Sequence, residues 1–251
     1  MSILSRFFSA EKIDYADIHS HLLYGIDDGA KSLDESVEMA RRAAKDGVTR
    51  MVATPHVSTE TSAGDLLNEA SERLGILKER LAEEGIGIEV VLGAEVSLEL
   101  GLADAVKTER RLTIGGNGRY MLVEMPAYGI PVFAEKVVFE LLASGVIPVW
   151  AHPERCAETA EDHEFVRRFV ANGVLLQLNS GSLLGLYGQR TRQSVKKMLA
   201  NGLGDVMASD IHHASDTRRF LSAAFPKLAR IVGREKAVDM CSAMPAKIVG
   251  C

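Results

Sequence analysis

The 251-residue sequence has few cysteines, and their spacing provides neither a disulfide framework nor a thiolate metal site. Cys156, Cys241 and Cys251 form an odd set without a C-x-x-C pair. This usage is typical of a reducing compartment, because small secreted proteins generally pair their cysteines. We therefore expect a cytoplasmic protein.

Long apolar runs and excess positive charge are also missing. No stretch of 18 apolar residues occurs, and Arg6 interrupts the short apolar run at the start of the chain, so we expect neither a signal peptide nor stable membrane insertion. Lys and Arg number 29 against 34 Asp and Glu. Without a broad positive field, nucleic acid is not expected as a partner.

The sequence lacks linkers, low-complexity tracts and repeats of fixed period, so no boundary for a second domain is evident. Apolar residues make up 47% and charged residues 25% of the chain, close to the average for folded globular proteins. We expect one domain over residues 1–251, in which 1–13 form an N-terminal extension. Assembly into oligomers stays open.

Apolar strand-like runs alternate with segments of helical period along the whole chain, which predicts an α/β fold with a parallel sheet. Ser32 and Glu35 form a capping box for the first helix, and Gly47 ends it. The predicted strands are 15–19, 49–54, 88–92, 120–125, 147–151, 174–178 and 205–209. The further predicted helices are 65–84, 132–144, 162–172, 190–201, 217–232 and 235–242.

Potential metal ligands follow nearly every predicted strand, at the end where α/β barrels place their chemistry. Only the sixth strand lacks one and offers Asn179 instead. Five of the seven histidines take part, the exceptions being His163 and His213. The ligands are His19, His21, His56, Glu95, Glu124, His152, Asp210 and His212.

A single H-x-H such as His19–His21 is more often an ordinary polar pair than a site, so the joint pattern carries the prediction. Glu95 and Glu124 stand in apolar strands, where carboxylates need a cation or a donor to offset their desolvation. One tetrahedral zinc would leave most of these ligands unused, so we expect two or three ions. Nitrogen and oxygen donors without thiolates suit Mn²⁺, which we favour, as well as Fe²⁺ or Zn²⁺.

These residues resemble the polymerase-and-histidinol-phosphatase (PHP) superfamily, whose H-x-H, H-P-E-R-like and S-D-x-H segments line a distorted seven-stranded (β/α)7 barrel. The D-I-H-S-H-L-L-Y-G-I-D-D-G-A-K-S segment at 17–32, followed by A-T-P-H and L-G-A-E, is similar to the bacterial capsule-type, manganese-dependent tyrosine phosphatases. The resemblance spans the whole chain.

The resemblance implies three ion sites and two phosphate-binding arginines. His19, His21, Glu95 and Asp210 would hold the first ion, and Glu95 would bridge to a second bound by Glu124 and His152. His56, His212 and either Asp27 or Asp28, with Asp28 preferred, would hold a third. Arg155 and Arg218 would bind the phosphate, with Asp210 and His212 as further catalytic groups. The alternative for Arg155 is a surface ion pair with Glu154 or Glu158, and for Arg219 an ordinary surface role is preferred.

The same resemblance implies a protein-tyrosine phosphatase that uses a metal-bound hydroxide, acting on a bacterial tyrosine autokinase that controls capsule or exopolysaccharide synthesis. His213 is a candidate proton donor to the leaving group. A cysteine-based phosphatase is excluded, because Asp162 and Lys247 stand where its arginine would follow Cys156 or Cys241. Histidinol-phosphate phosphatase, another phosphoesterase and a binding protein stay open. An amidohydrolase is disfavoured because no lysine lies in the middle strands.

Overall fold

The computed structural model describes residues 13–58 and 63–250, without the side chains of Ala160 and Glu161. The expected N-terminal extension therefore lies outside the described residues except at Ile13. Within these ranges the chain is an α/β protein whose strands all pair in parallel. This confirms the predicted α/β class with parallel strands.

A strand occupies each of the seven predicted positions, but the described residues form nine strands in two sheets. One sheet has the order β1-β2-β4 and the other the order β3-β5-β6-β7-β8-β9. The strands are β1 Tyr15–Asp17, β2 Val48–Ala53, β3 His56–Val57, β4 Glu89–Leu92, β5 Glu95–Ser97, β6 Tyr120–Glu124, β7 Ile147–Ala151, β8 Leu175–Asn179 and β9 Val206–Ala208.

The two strands beyond the seven predicted are β3 and β5, short strands that follow two of the predicted runs after a break of two residues. Thr54 and Pro55 separate β2 from β3, and proline has no N–H to donate to a sheet ladder. Gly93 and Ala94 separate β4 from β5 directly alongside, where Gly93 N donates to Ala53 O at 2.9 Å. The two interruptions divide one series of neighbouring strands into two sheets.

The first and last strands meet only beyond their ends. Ser20 and Ile211 form an isolated parallel bridge. Beside it, Asp210 N donates to His19 O at 3.0 Å and His21 N donates to Ile211 O at 2.9 Å. We call these contacts the β1–β9 seam. A continuous ladder of a closed barrel is thus not formed in the described part of the chain.

The helices cover the outer faces of the sheets, and the first of them has the predicted caps. Ser32 Oγ accepts from Glu35 N at 3.3 Å, and Gly47 ends the helix with a φ of 99°. The helices are α1 Leu33–Asp46, α2 Ala63–Glu83, α3 Leu102–Thr108, α4 Ala134–Ala143, α5 Ala157–Glu161, α6 His163–Ala171, α7 Ser180–Leu184, α8 Gly188–Ala200, α9 Leu221–Val232, α10 Arg234–Val238 and α11 Met244–Val249.

Two predicted helices differ in extent from the observed ones. The segment predicted as 217–232 begins with a 3-10 turn at Thr217–Arg219, and α9 follows from Leu221. The segment predicted as 235–242 is α10 followed by a π-helical turn, Asp239–Ala243. No helix within the described ranges is both long and apolar enough to cross a bilayer.

The apolar core has two parts. The larger part lies between the sheets and the helices and includes Trp150 and Phe169. The smaller part draws on both sheets, through Val52 in β2 and Leu122 in β6, for example. It is packed between strands, as the interior of an α/β barrel is. The polar residues that follow the strands lie at the carboxyl end of this inner core.

Candidate metal centre

The His19 and His21 imidazoles are completely buried just beyond β1. His19 Nδ1 lies 2.9 Å from Gln177 Oε1, and His21 Nδ1 lies 2.7 Å from Asp27 Oδ2. Because an amide oxygen and a carboxylate only accept hydrogen bonds, Nδ1 of each ring carries the proton. Each ring therefore directs Nε2, the nitrogen that could bind a metal ion, toward Glu95 and Asp210.

Glu95, the first residue of β5, lies at the centre of the cluster and is 1% exposed. Its Oε2 is 3.1 Å from His19 Nε2, 3.3 Å from His21 Nε2 and 3.2 Å from His56 Nδ1. Its Oε1 is 2.9 Å from His152 Nε2. One carboxylate therefore contacts four imidazoles that come from three different strand ends.

Asp210 follows β9 and faces the same two buried imidazoles. Its Oδ1 lies 3.4 Å from His19 Nε2 and 3.5 Å from His21 Nε2. Asp210 and His152, with φ values of 52° and 34°, are the non-glycine residues with positive φ in the described ranges. Backbone strain of this kind concentrates at functional sites, and here both examples belong to the cluster.

A more exposed group of side chains closes the outer side of the cluster. Asp28 Oδ1 lies 3.6 Å from His56 Nε2 and 3.5 Å from His212 Nε2, and its side chain is 67% exposed. Asp27 instead turns inward, where its oxygens accept from Gly29 N at 2.9 Å and His56 N at 3.1 Å besides contacting His21. The two adjacent aspartates therefore have different environments.

Glu124, at the end of β6, completes the set. Its Oε1 lies 3.7 Å from His152 Nε2 and its Oε2 lies 3.9 Å from His56 Nδ1. Every side chain that was predicted as a metal ligand is thus within or beside one cluster. Three subsets have ligand atoms within 4.8 Å of one another: His19, His21 and Glu95; His56, Glu95 and Glu124; and His21, Asp28, His56 and His212.

The donor set fits divalent cations. The buried His19 Nε2 and His21 Nε2 have no hydrogen-bond partner of their own among the described residues, and a buried polar nitrogen without a partner is rare in a native protein. Both face carboxylate oxygens of Glu95 and Asp210, which would otherwise be desolvated charges. A cation between these atoms would satisfy all of them, and the mixed nitrogen and oxygen donors match first-row metals.

The charges in the cluster are strongly coupled. Burial alone would raise the pKa of the Glu95 carboxyl, but the His19, His152 and His21 imidazoles hold it well below its usual range. Burial would lower the pKa of His19, whereas Glu95 and Asp210 raise it to about 9. The cluster therefore needs a positive charge, supplied either by protons on imidazoles or by cations.

Strand β8 offers no metal ligand but orients two of them. Gln177, which binds His19 Nδ1, donates through Nε2 to Asn179 Oδ1 at 2.7 Å. Asn179 Nδ2 donates in turn to Asp210 Oδ2 at 2.6 Å. The role of Gln177 was missed from the sequence, although a polar residue two positions before Asn179 in an apolar strand is a signal that could have indicated it.

Arg155 belongs to the site and does not pair with either glutamate considered from the sequence. Its Nη1 donates to Asp210 Oδ2 at 3.0 Å. Glu154 is buried and accepts from Asn179 N at 2.8 Å, and Glu158 accepts from Gly129 N at 2.6 Å. The surface ion pair that was the alternative for Arg155 is therefore not formed.

Of the two adjacent arginines, Arg219 and not Arg218 reaches the cluster. Arg219 Nη1 donates to Asp210 O and, at 2.7 Å, to Tyr187 Oη. Arg218 is exposed and makes no hydrogen bond or ion pair within the described residues. The 3-10 turn at Thr217–Arg219 decides which of the two side chains points inward, and the sequence carries no signal for this choice.

Tyr187 and His213 both lie near the metal ligands but have different surroundings. Tyr187, between α7 and α8, was missed from the sequence because it follows no strand; burial and the Asp210 carboxylate raise the pKa of its hydroxyl to about 12, so it stays protonated. His213 lies with Nδ1 3.5 Å from Glu35 Oε1 of α1. The structure thus brings Tyr187 to the cluster, while the His213 ring faces a different carboxylate.

Comparisons with known proteins agree with this geometry. The family model described as capsular polysaccharide synthesis, CpsB/CapC, matches residues 15–250. The chain is 34% identical to the tyrosine-protein phosphatase YwqE of Bacillus subtilis over 206 residues, covering 81% of this chain and 79% of YwqE. It is 31% identical to the putative tyrosine-protein phosphatase CapC of Staphylococcus aureus over 209 residues, covering 83% and 81%.

A solved structure gives the same result at the level of the fold. It comes from crystallographic work on YwqE of Bacillus subtilis and CpsB of Streptococcus pneumoniae, which are described there as unique metal-dependent tyrosine phosphatases. The TM-score is 0.83 at 31% identity, and the superposition covers 94% of each chain. The similarity therefore extends over nearly the whole fold.

Proposed function

This chain belongs to the CpsB/CapC family of capsular polysaccharide synthesis, and from that premise we propose that it is a metal-dependent protein-tyrosine phosphatase. The reaction is hydrolysis of a phosphotyrosine ester to tyrosine and inorganic phosphate, so the enzyme is a phosphoric monoester hydrolase. Relatives that are about a third identical over most of the chain carry this activity in their names.

The observation that carries the proposal is the convergence of imidazoles and carboxylates around Glu95. Four imidazoles lie within 3.3 Å of its two oxygens, and Nε2 of the two that are completely buried makes no hydrogen bond within the described residues. Buried carboxylates are unfavourable without a compensating positive charge, which cations would supply here. We therefore expect the cluster to bind metal in the active enzyme.

We assign the ligands to three ion positions that share donors. The innermost would use His19, His21, Glu95 and Asp210, the second Glu95, Glu124 and His152, and the third Asp28, His56 and His212. The contacts of Asp28 with two imidazoles support it as the third-position ligand, and the inward contacts of Asp27 support a role in orienting His21. Mn²⁺ is the preferred ion, with Fe²⁺ or Zn²⁺ as alternatives.

Bound divalent cations would supply a water of lowered pKa and would neutralise charge on the phosphoryl group. The chain's own contribution is to bind and orient that group. Arg155 and Arg219 lie beside the cluster through their contacts with Asp210, and a guanidinium fork matches two phosphoryl oxygens. We assign Arg219, rather than the Arg218 expected from the sequence, as the second phosphate-binding arginine.

The accessible side of the cluster suits a phosphate carried by a protein. Glu95 is 1% exposed, whereas the side chains of His56 and Asp28 are 41% and 67% exposed. A site with Glu95 buried at its base and with His56 and Asp28 open to solvent would admit a phosphotyrosine side chain on a flexible segment. We propose the tail of a bacterial tyrosine autokinase that controls capsule or exopolysaccharide synthesis as the substrate, in the cytoplasm, where the buried thiols of Cys156 and Cys241 stay reduced.

We also propose that the two sheets form one distorted seven-stranded barrel. Joining β2 with β3 and β4 with β5 gives seven consecutive positions, and the β1–β9 seam links the first to the last. The inner core, which takes residues from both sheets, supports this interpretation. In this arrangement all ligands would lie on the carboxyl rim of the barrel, as is usual for enzymes with barrel folds.

Steady-state rates on three substrates test the proposed function. Protein purified with Mn²⁺ should hydrolyse a phosphotyrosine peptide with a kcat/KM at least tenfold above that for histidinol phosphate, and should not cleave a dinucleotide. Chelation should abolish the activity, and Mn²⁺ should restore it. A preference for histidinol phosphate or the dinucleotide would assign a different phosphoesterase, and inactivity on all three with bound metal would favour a binding protein.

The arginine assignment has a matched pair of variants. Arg219→Ala should raise KM for the phosphotyrosine peptide and lower kcat/KM by about 10–100-fold, because a charge-assisted contact is lost. Arg218→Ala removes the same side chain one position away and should change kcat/KM less than twofold. Equal effects, or a larger effect at Arg218, would contradict the assignment.

A further inference from the structure

Two guanidinium groups lie near one aromatic ring beside the cluster. Arg155 Cζ is 4.7 Å from the Tyr187 ring centroid, and Arg219 Cζ is 5.3 Å from it. Both distances fall within the range of cation–π attraction. Both guanidiniums are attracted to the same ring, so the ring is part of what holds them beside the cluster.

The Tyr187 hydroxyl adds directional contacts to the same arrangement. Its oxygen accepts from Arg219 Nη1 at 2.7 Å and lies 3.3 Å from Asp210 Oδ2. Arg155 Nη1 donates to that same Oδ2 at 3.0 Å. The buried carboxylate, the hydroxyl and both guanidiniums therefore form one connected network, which we call the Arg–Tyr–Arg network.

Arg155 keeps most of its hydrogen-bonding capacity in this network. A guanidinium carries five N–H donors, and that of Arg155 makes a single hydrogen bond, to Asp210, within the described residues. Its side chain is 37% exposed. The remaining donors are available to an anion that enters from solvent.

The backbone of α7 passes close to the Tyr187 ring at a glycine, which leaves space for the ring. A Cβ added to Gly181, in α7, would lie 3.2 Å from Tyr187 Cε2 and 3.7 Å from Arg219 Cγ. The Ser180 hydroxyl beside it donates to Arg219 O. Helix α7 thus supports both the ring and one of the two arginines, and a single methyl group there would disturb them.

We infer that Tyr187 is a positioning residue that fixes the separation of Arg155 and Arg219, so that the two guanidiniums bind one dianionic phosphoryl group together. The inference rests on the proposed phosphatase function and deepens it. Tyr187 does not touch the reacting atoms itself. Its effect is exerted through the two arginines. Substitution of Tyr187 should therefore weaken phosphate binding and leave metal binding unchanged.

Two substitutions of Tyr187 separate the ring from the hydroxyl. Tyr187→Leu removes both, and should raise KM for a phosphotyrosine peptide and the inhibition constant of inorganic phosphate by about tenfold each. Tyr187→Phe retains the ring and should raise both by about two- to fivefold. Metal content by elemental analysis should stay at the wild-type value in both variants. Unchanged KM and phosphate inhibition in Tyr187→Leu would overturn the inference, as would loss of metal.

Two further variants act as controls. Gly181→Ala leaves Tyr187 in place but crowds it, and should reproduce a rise in the phosphate inhibition constant; an unchanged constant would count against the inference. Tyr120→Phe removes a hydroxyl as Tyr187→Phe does, but from a ring in the inner core that lies 5.4 Å from Arg119 Cζ. It should leave KM and the phosphate inhibition constant unchanged.

Direct calorimetric titration of metal-loaded protein with inorganic phosphate separates this inference from the proposed function. Weaker phosphate binding in Tyr187→Leu supports the positioning role even if the wild-type protein hydrolyses no phosphotyrosine peptide. Equal phosphate binding in wild type and Tyr187→Leu refutes the positioning role even if the phosphatase assay succeeds.

Discussion

At the scale of single residues, strand β8 illustrates how one side chain fixes the orientation of a candidate metal ligand. The Gln177 amide fixes the His19 ring with Nδ1 protonated and Nε2 directed at the cluster. Outer contacts of this kind typically change metal affinity by 10–100-fold when they are removed. Gln177 is therefore as much part of the candidate centre as several of its ligands.

Replacing Gln177 tests this dependence. Gln177→Met keeps the approximate shape but removes the acceptor, so His19 can rotate or change tautomer, and Mn²⁺ affinity should fall by about 10–100-fold. Calorimetric titration of metal-free protein measures it. Gln193→Met, on the exposed face of α8, makes the same exchange away from the site and should have no effect. Equal Mn²⁺ affinity in all three proteins would contradict the proposed role.

A second consequence at this scale concerns protons. The Glu95 and Asp210 carboxylates raise the pKa of His19 to about 9 against the effect of burial, so this imidazole is protonated at pH 7 without a cation. Metal must displace that proton. Apparent Mn²⁺ affinity should therefore increase as pH rises from 6 toward 9, with proton release detectable in buffers of different ionisation enthalpy. An affinity independent of pH would be the contrary result.

The candidate ligands could be predicted from the sequence because their positions depend on local rules. Parallel strands bring their carboxyl ends together, and His19 and His21 follow directly after β1. Asp27 and Asp28 could not be separated, since their difference depends on which backbone N–H groups lie nearby. Tyr187 and Arg219 depend on contacts between loops, for which the sequence has no periodic signal.

At the scale of secondary structure elements, the interruptions of two neighbouring strands determine where the central carboxylate stands. Gly93 lies between β4 and β5, immediately before the turn into Glu95. A Cβ there would lie 2.9 Å from Val52 Cγ1 and 3.4 Å from Ile114 Cα. The close approach of strand and inner core thus requires a residue without a side chain at this point.

Alanine substitutions at two glycines should have opposite effects on stability. Gly93→Ala should lower the free energy of unfolding by about 1–3 kcal/mol because it overpacks the inner core. Gly75→Ala, within α2, meets no atom within 4 Å and should raise it by about 0.5–1 kcal/mol through its better helix propensity. Urea unfolding of both variants measures the difference. A neutral Gly93→Ala would show that the inner core can adjust.

The sequence predicted where strands occur but not how they break. All seven runs contain a strand, because apolar β-rich segments are identified by composition and length. The breaks at Pro55 and Gly93 arise where neighbouring strands part, and that depends on their packing rather than on local preference. For the same reason the short helices α3, α5 and α7 were missed, since each is only five to seven residues long.

At the scale of the whole molecule, the cluster joins parts of the chain that are far apart in sequence. His19 and His21 lie on the β1 side of the β1–β9 seam, and Asp210 and His212 lie on the β9 side. The seam itself has few hydrogen bonds. Shared cations would therefore add a cross-link across this seam, and a ligand that binds only the folded state stabilises it by an amount that grows with the logarithm of the ligand concentration above Kd.

Hydrogen exchange with and without metal tests this coupling. Chelation should speed exchange of the His21 and Asp210 amides, which form the seam, by about tenfold or more. The amides that pair β6 with β7 lie within a continuous ladder and should change less than twofold. If chelation accelerated exchange evenly across all strands, the cations would act on global stability and not on the seam.

The seam has a further consequence for how the protein is made. Candidate ligands for the innermost position include His19 and Asp210, so a nascent chain of two hundred residues of this sequence lacks Asp210 and His212. The complete cluster can assemble only after His212 has left the ribosome. Binding of a full set of cations would therefore follow synthesis of that residue, and chains cut short before it lack a full set of donors.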